Sequence, residues 1–192
     1  MTRLAVVLTE GFADWEVGQL AASARTHFGF DVVTASPGGA EVRSMGGMRV
    51  APDAVAENLH GDAFDALVIC GGTIWETEKT PDLSPVINDF IARGKLTAAI
   101  CGGTLALARA GALDQVAHTS NAPDLLAGAE GYHGQAHYRE GPQAVRSGMI
   151  VTAPGSAPIT FTAEIYRALG FGSEELDTYV QIFGAEHQPK AA

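Results

Sequence analysis

Four short apolar runs, separated by segments of helical periodicity, constrain the fold of this chain more than any other feature. They span residues 4–8, 32–34, 66–69 and 97–100. A run without alternating polar residues is typical of a parallel strand whose two faces are both covered by helices. The alternation of strands and helices therefore predicts an α/β fold, a doubly wound, flavodoxin-like and mostly parallel sheet sandwiched between helices in three layers.

Apolar residues at helical spacing predict the covering helices. Trp15, Leu20, Ala24 and Phe28 space out one face of the first helix. The predicted helices span residues 14–28, 85–94, 158–169 and 174–183. Because no linker, repeat or low-complexity segment interrupts this order, we expect residues 1–192 to form a single domain.

Two segments depart from the alternation and are predicted to add small β-hairpins to the fold. Residues 42–50 carry Gly46 and Gly47 at their centre, and residues 144–152 carry Ser147 and Gly148 at theirs. A glycine-containing pair between two short runs of strand-forming residues is typical of a hairpin turn.

Charge and cysteine content limit the partners and the compartment. The formal net charge is −10, which argues against nucleic acid or an anionic membrane as a partner, since both require clustered Lys and Arg. No apolar stretch approaches the roughly 20 residues of a membrane helix. Two cysteines are too few for a disulfide scaffold, and the start of the chain lacks the features of a secretory signal. We therefore expect a cytoplasmic protein.

The most informative stretch is the end of the fourth apolar run, where a strand stops at Cys101 and Gly102, Gly103 and a helix follow. Small residues two before and two after a nucleophile allow a sharp strand-to-helix turn, which exposes the nucleophile above the strand ends. A helix N-terminus favours the thiolate, so the pKa of Cys101 is expected below its ordinary value of about 8.5. The N–H of Gly102 could form half of an oxyanion hole, and Gly72 the other half.

Plainer interpretations stand beside this one. Cys101 could be a buried small hydrophobe, which is the usual role of a free cysteine. Cys70 also ends a strand before two glycines, but no helical period follows at once, so we predict a structural role for it. No disulfide between the two cysteines is expected.

Five segments in order carry a family resemblance. They are residues 11–16, Gly71-Gly72, residues 99–103, residues 111–120 with Thr119-Ser120, and residues 152–158. With them the chain resembles the ThiJ/PfpI superfamily, whose fold is similar to that of class I glutamine amidotransferase domains. The resemblance implies that Glu16 lies beside Cys101 and donates a hydrogen bond to it as a protonated carboxylic acid. The alternative for Glu16 is a solvated residue that stabilises the start of a helix.

The chain departs from the family pattern at the position of the catalytic base. The protease branch carries His directly after the cysteine, where this chain has Gly102, so protease activity is not expected. Other branches carry His after Thr-Ser, where this chain has Asn121, and His118 lies three residues earlier. Asn121 can form hydrogen bonds but cannot accept a proton, so no general base is evident.

Two further side chains are candidates for the wall of the site. Trp75 follows the Gly71-Gly72 pair and could cover the site, or could equally be an ordinary apolar contact. Tyr138 is a second candidate. No metal or other cofactor is predicted, because His133 and His137 have no third ligand nearby.

Two functions of different classes remain open. In the first, Cys101 attacks a carbonyl or similar carbon of a small molecule such as a glyoxal, an amide or a strained nitrile-like group, and Glu16 handles a proton. In the second, an oxidant converts Cys101 to a sulfenate or sulfinate without turnover. The resemblance also suggests a homodimer.

Overall fold

The computed structural model describes residues 1–185, so the last seven residues of the predicted domain lie outside it. The strands are β1 (Arg3–Val7), β2 (Asp31–Ser36), β3 (Val42–Arg43), β4 (Arg49–Val50), β5 (Ala54–Val55), β6 (Ala66–Ile69), β7 (Leu96–Ile100), β8 (Val145–Ser147) and β9 (Ile150–Ala153). The α-helices are α1 (Asp14–Thr26), α2 (Ser84–Ala92), α3 (Thr104–Arg109), α4 (Pro123–Ala127), α5 (Pro158–Ala168) and α6 (Glu174–Gly184).

Seven of the strands form one sheet in the order β5-β2-β1-β6-β7-β9-β8. Every neighbouring pair is parallel except β8 and β9 at one edge. The unbroken apolar runs supply β1, β6 and β7, which lie in the interior of the sheet, where both faces are covered. The predicted doubly wound fold is confirmed.

The helices form one layer on each face of the sheet. Leu4 and Val6 of β1 belong to the core that α1, α5 and α6 cover, whereas Ala5 and Val7 belong to the core under α2, α3 and α4. This alternation follows from the two-residue period of a strand. Because β6 and β7 are parallel neighbours, their carboxyl ends meet at the same edge of the sheet, between the two helical layers.

Both predicted hairpins form, with one addition. Val42 pairs with Val50 in the antiparallel β3–β4 ribbon, which stands apart from the main sheet. In the second hairpin, β9 pairs with β8 on one side and runs parallel to β7 on the other, so it is also a strand of the main sheet. The two-residue edge strand β5 was not predicted, because so short a run leaves no periodic signal.

The predicted apolar face of the first helix is wrong at its first member. Trp15 is 52% exposed, whereas Glu16, Val17, Leu20 and Ala24 point into the core. Val17, Leu20 and Ala24 lie on one side of the helix and form its buried face, and Trp15 lies outside that face. None of the helices in residues 1–185 has the length and apolar character needed to cross a bilayer.

Candidate active site

Cys101 lies directly after β7 and adopts a left-handed backbone conformation, with φ of 58°. A single 3-10 turn over Cys101–Gly103 then leads into α3. The turn needs glycine at position 103, because a Cβ there would lie 2.8 Å from the carbonyl oxygen of Ile69. A positive φ at a residue with a side chain costs about 1–3 kcal/mol, and such strain is concentrated at functional sites.

Two amide groups reach the sulfur of Cys101, which is partly exposed. The side-chain Nδ2–H of Asn121 donates to Sγ at 3.1 Å, and the backbone N–H of Gly102 also contacts the sulfur. The Oδ1 atom of Asn121 accepts from the N–H of Gly155 at 2.9 Å. Asn121 therefore joins the nucleophile to the loop between β9 and α5.

Glu16 is fully buried on α1, and its two carboxyl oxygens have different surroundings. Oε2 accepts from the backbone N–H of Gly71 at 2.8 Å, whereas Oε1 has no hydrogen-bond partner among the described residues. A Cβ placed on Gly155 would lie 2.9 Å from Oε1 and 3.0 Å from the Sγ of Cys101. The free oxygen and the sulfur therefore border the same small space, and a proton on Glu16 belongs on Oε1, because Oε2 already accepts a donor.

The pKa of Cys101 was expected to be lowered, and this expectation is wrong, because the surroundings of Glu16 and Cys101 raise the pKa of both groups. Burial raises the pKa of Glu16. Burial, together with the negative charge of Glu16, also raises the pKa of Cys101 to about 11, although the Asn121 and Gly102 amides act against this. The expected lowering by a helix N-terminus fails for a physical reason. Only the six-residue α3 follows, starting three residues after Cys101, and two amide donors do not offset the loss of water.

Of the two glycines proposed for an oxyanion hole, Gly102 lies within the strand-to-helix turn and Gly72 lies beside that turn. Gly72 is tightly enclosed, because a Cβ there would lie 2.7 Å from the carbonyl oxygen of Gly11. Gly102 packs against Trp75, whose side chain is completely buried and donates from Nε1 to the carbonyl of Cys70. Trp75 is therefore a core residue that packs against the turn over Cys101–Gly103, and it does not cover the site.

His118 lies in the core with both ring nitrogens engaged. Nδ1 is 2.8 Å from the carbonyl oxygen of Val116, so it carries the proton, and Nε2 accepts from the hydroxyl of Tyr132 at 2.7 Å. Burial lowers the pKa of His118. Because no ring nitrogen is free, His118 is not available as a base for Cys101.

A cavity of about 370 Å³ opens beside Asn121, and Tyr138 forms part of its wall. The hydroxyl of Tyr138 donates to the carbonyl of Ser120 at 3.2 Å. Asn121 lines this cavity and also donates to the sulfur of Cys101, although Cys101 itself is not part of the cavity wall. Within residues 1–185, no three His, Cys, Asp or Glu side chains converge in the way that metal ligands do.

Sequence reasoning missed Gly155 and Trp15 as parts of this site. The indole Nε1–H of Trp15 donates to the carbonyl of Gly155 at 3.0 Å, while Asn121 accepts from the N–H of the same residue. These contacts hold the Gly155 backbone over Cys101 from two sides. Gly155 was part of a matching segment, but no spacing in the sequence indicated which of its residues touches the sulfur.

Comparisons with known proteins agree with this architecture. The sequence profile of the DJ-1/PfpI family matches residues 2–168. Two Bacillus subtilis proteins, the uncharacterized proteases YoaZ and YdeA, are each 32% identical to this chain; the matches cover 82% and 91% of it, and 78% and 87% of those proteins.

Solved structures extend the likeness to almost the whole length of the chain. A DJ-1 superfamily protein from Agrobacterium tumefaciens is 45% identical, with a TM-score of 0.95 over 98% of this chain and 100% of its own. A ThiJ/PfpI family protein from Bacillus anthracis is 29% identical, with a TM-score of 0.86 over 98% of this chain and 92% of its own. On the profile match and these identities, the chain belongs to the DJ-1/PfpI family.

Proposed function

We propose that this protein is a small-molecule enzyme in which Cys101 attacks a carbonyl or a similarly electrophilic carbon and Glu16 is its proton partner. One observation carries the proposal. The sulfur of Cys101 and the unpartnered Oε1 of Glu16 border the same space above Gly155. A buried carboxyl oxygen without a hydrogen-bond partner is costly in a stable fold, and such groups are concentrated where a proton must be moved.

The pair can form a thiolate without adding charge to the buried site. When the thiol proton moves from Sγ to Oε1, the net charge of the pair remains −1, so the desolvation cost of a second charge is avoided. The thiolate then forms a bond to the carbonyl carbon, and the π electrons move to the oxygen. The N–H groups of Gly72 and Gly102 would stabilise that oxyanion, and Oε1 returns its proton to it, which completes a hemithioacetal from an aldehyde.

The experiment that tests this function is a turnover screen with methylglyoxal, small amides and isonitriles. We expect the wild-type protein to convert at least one class and Cys101→Ala to lose all measurable turnover, because no other thiol reaches the space. Cys70→Ala is the matched control and should retain activity, since that sulfur is buried on the far side of Glu16. Turnover that survives in Cys101→Ala would contradict the proposal, as would a wild-type protein that converts none of the substrates.

A second candidate is redox sensing, favoured because among residues 1–185 the side chain that donates to the sulfur is an amide and no free imidazole contacts it. In that case a peroxide oxidises Cys101 to a sulfenate and releases water, and a second equivalent gives the sulfinate. The Asn121 and Gly102 amides would stabilise the new oxygens. Mass spectrometry distinguishes the two functions, because the sensor accumulates Cys101 with one or two added oxygens and shows no turnover.

The protease name of the two Bacillus relatives is not carried over to this chain. Gly102 occupies the position after the nucleophile, and the side chain that reaches the sulfur is the amide of Asn121. Neither of these groups can carry a proton to a leaving amine, as amide hydrolysis requires, which leaves Glu16 as the proton carrier of the described site. We therefore favour carbonyl-type substrates over peptide bonds.

We also propose that the protein is a cytoplasmic homodimer. Exposed apolar side chains near the start of α1 and the end of α6 support an interface between two copies, and they are Trp15, Met45, Met48, Ile182 and Phe183. Such a patch on a soluble domain is typical of an association surface. Sedimentation should show a dimer in the micromolar range, and a 19.9 kDa species alone would contradict this.

A further inference from the structure

The backbone of Gly155 is held beside Cys101 by two side chains from distant parts of the chain. Gly155 lies in the loop of residues 154–157 between β9 and α5, and among residues 1–185 neither its N–H nor its carbonyl makes a backbone hydrogen bond. Its N–H donates to Oδ1 of Asn121 at 2.9 Å, and its carbonyl accepts from Nε1 of Trp15 at 3.0 Å. The position of Gly155 therefore depends on these two contacts.

The contact with Gly155 also decides which end of the Asn121 amide faces the sulfur. A side-chain amide has an acceptor oxygen at one end and a donor NH₂ group at the other. Because Oδ1 accepts from the N–H of Gly155, Nδ2 is directed to the Sγ of Cys101, 3.1 Å away. A displacement of Gly155 would release Oδ1, and the amide would then no longer be fixed as a donor to the sulfur.

Trp15 reaches the site from the same turn of α1 as the carboxyl of Glu16. Glu16 is buried and borders the space beside Gly155, whereas Trp15 is 52% exposed and crosses to the carbonyl of Gly155. The start of α1 is itself tied to the end of β6, because the N–H of Ala13 donates to the carbonyl of Gly71 at 3.1 Å. One turn of helix therefore places both the carboxyl and the donor that holds Gly155.

We propose that Trp15 is a positioning residue for Cys101: its indole N–H holds the backbone of Gly155, which in turn holds the amide of Asn121 on the sulfur. The inference rests on the proposed nucleophilic role of Cys101 and deepens it. Since half of the Trp15 side chain is exposed, its packing contributes less than it would in the core, and the N–H is the part that touches the site.

Two substitutions at Trp15 separate the hydrogen bond from the bulk of the ring. Trp15→Phe keeps an aromatic ring without a donor, and Trp15→Ala removes both. We expect each to slow the alkylation of Cys101 by iodoacetamide near neutral pH by about threefold to tenfold, as the loss of one ordinary hydrogen bond allows. The alkaline rise in rate should also move to higher pH, because a less firmly held donor stabilises the thiolate less. The melting temperature should remain close to the wild-type value.

The matched control repeats Trp15→Phe in a protein that already carries Asn121→Ala. If Trp15 acts through Asn121, Trp15→Phe should change the alkylation rate by less than about twofold once the amide is gone, because the effects of residues that act through one another do not add. An effect on stability, or on the exposed apolar patch around Trp15, would persist in that background.

Each outcome has a distinct meaning. A wild-type rate in Trp15→Phe would overturn the role of the indole N–H, also where Trp15→Ala is slowed, since the ring alone would then matter. An equal loss with and without Asn121→Ala would overturn the route through the amide. Both results leave the nucleophile intact. A wild-type Cys101 that iodoacetamide does not modify would overturn the proposed function and this inference together.

Discussion

Glu16→Ala should slow the alkylation of Cys101 by iodoacetamide near neutral pH by at least about tenfold, because the thiol loses the proposed acceptor of its proton. Loss of the Glu16 charge acts in the opposite direction, but burial is the larger cause of the raised thiol pKa and it remains. Each pKa unit above the working pH lowers the thiolate fraction tenfold. In the wild-type protein, the thiol proton can move to Glu16, so reactivity should be flat across neutral pH. It should rise again only near the second ionisation of the pair, where the pKa of Cys101 is raised to about 11. In Glu16→Ala the thiol is still partly buried, so the alkylation rate should rise only once with pH, in the alkaline range.

The measurement is the rate of Cys101 modification, followed by mass spectrometry from acidic to strongly alkaline pH. Glu16→Gln is the control for shape. It keeps an acceptor for the N–H of Gly71 and presents an N–H donor to the sulfur, so it should restore part of the rate without accepting a proton. Cys70, which is completely buried, should remain unmodified throughout. A Glu16→Ala protein with the wild-type rate and profile would show that Glu16 does not share the thiol proton.

The fold was predictable because its signals are local and repeated. The strands β1, β6 and β7 are buried on both faces, so their sequences contain no polar alternation, and the order of elements alone then restricts the topology. The failures are also local. Trp15 has the residue type of a core position, yet it is half exposed because its indole bonds the Gly155 carbonyl across the site.

The site was predictable only where the backbone itself requires particular residues. Cys101, Gly102 and Gly103 were identified because a strained strand-to-helix turn requires small residues at fixed spacing. The direction of the pKa shift of Cys101 could not be predicted. It depends on burial and on the carboxyl of Glu16, 85 residues away in the chain, and no sequence spacing encodes either. The contact of Asn121 with the sulfur is of the same kind, since it requires the three-dimensional meeting of two loops.

Gly155→Ala should lower turnover, and the alkylation rate of Cys101, by about a hundredfold, the loss that a displacement of about 1 Å at reacting groups can cause. The added Cβ would lie 3.0 Å from the Sγ of Cys101 and 2.9 Å from the Oε1 of Glu16. Both distances are shorter than van der Waals contact, so the methyl group occupies the space that the pair shares. The backbone of Gly155 is not in the left-handed region, so the substitution acts through this space and not through strain in φ.

A second glycine-to-alanine variant separates loss of the space from loss of stability. At Gly128 the φ is −81° and the nearest atom to an added Cβ is 3.8 Å away, so Gly128→Ala should retain wild-type turnover. Thermal unfolding of both variants shows whether they fold, and the expected difference lies in activity and in alkylation rate, with melting temperatures that remain close to the wild-type value. If Gly155→Ala folds and keeps the wild-type rate of alkylation, then the space between Cys101, Glu16 and Gly155 is not where the chemistry occurs, and the proposed proton transfer between sulfur and carboxyl fails with it.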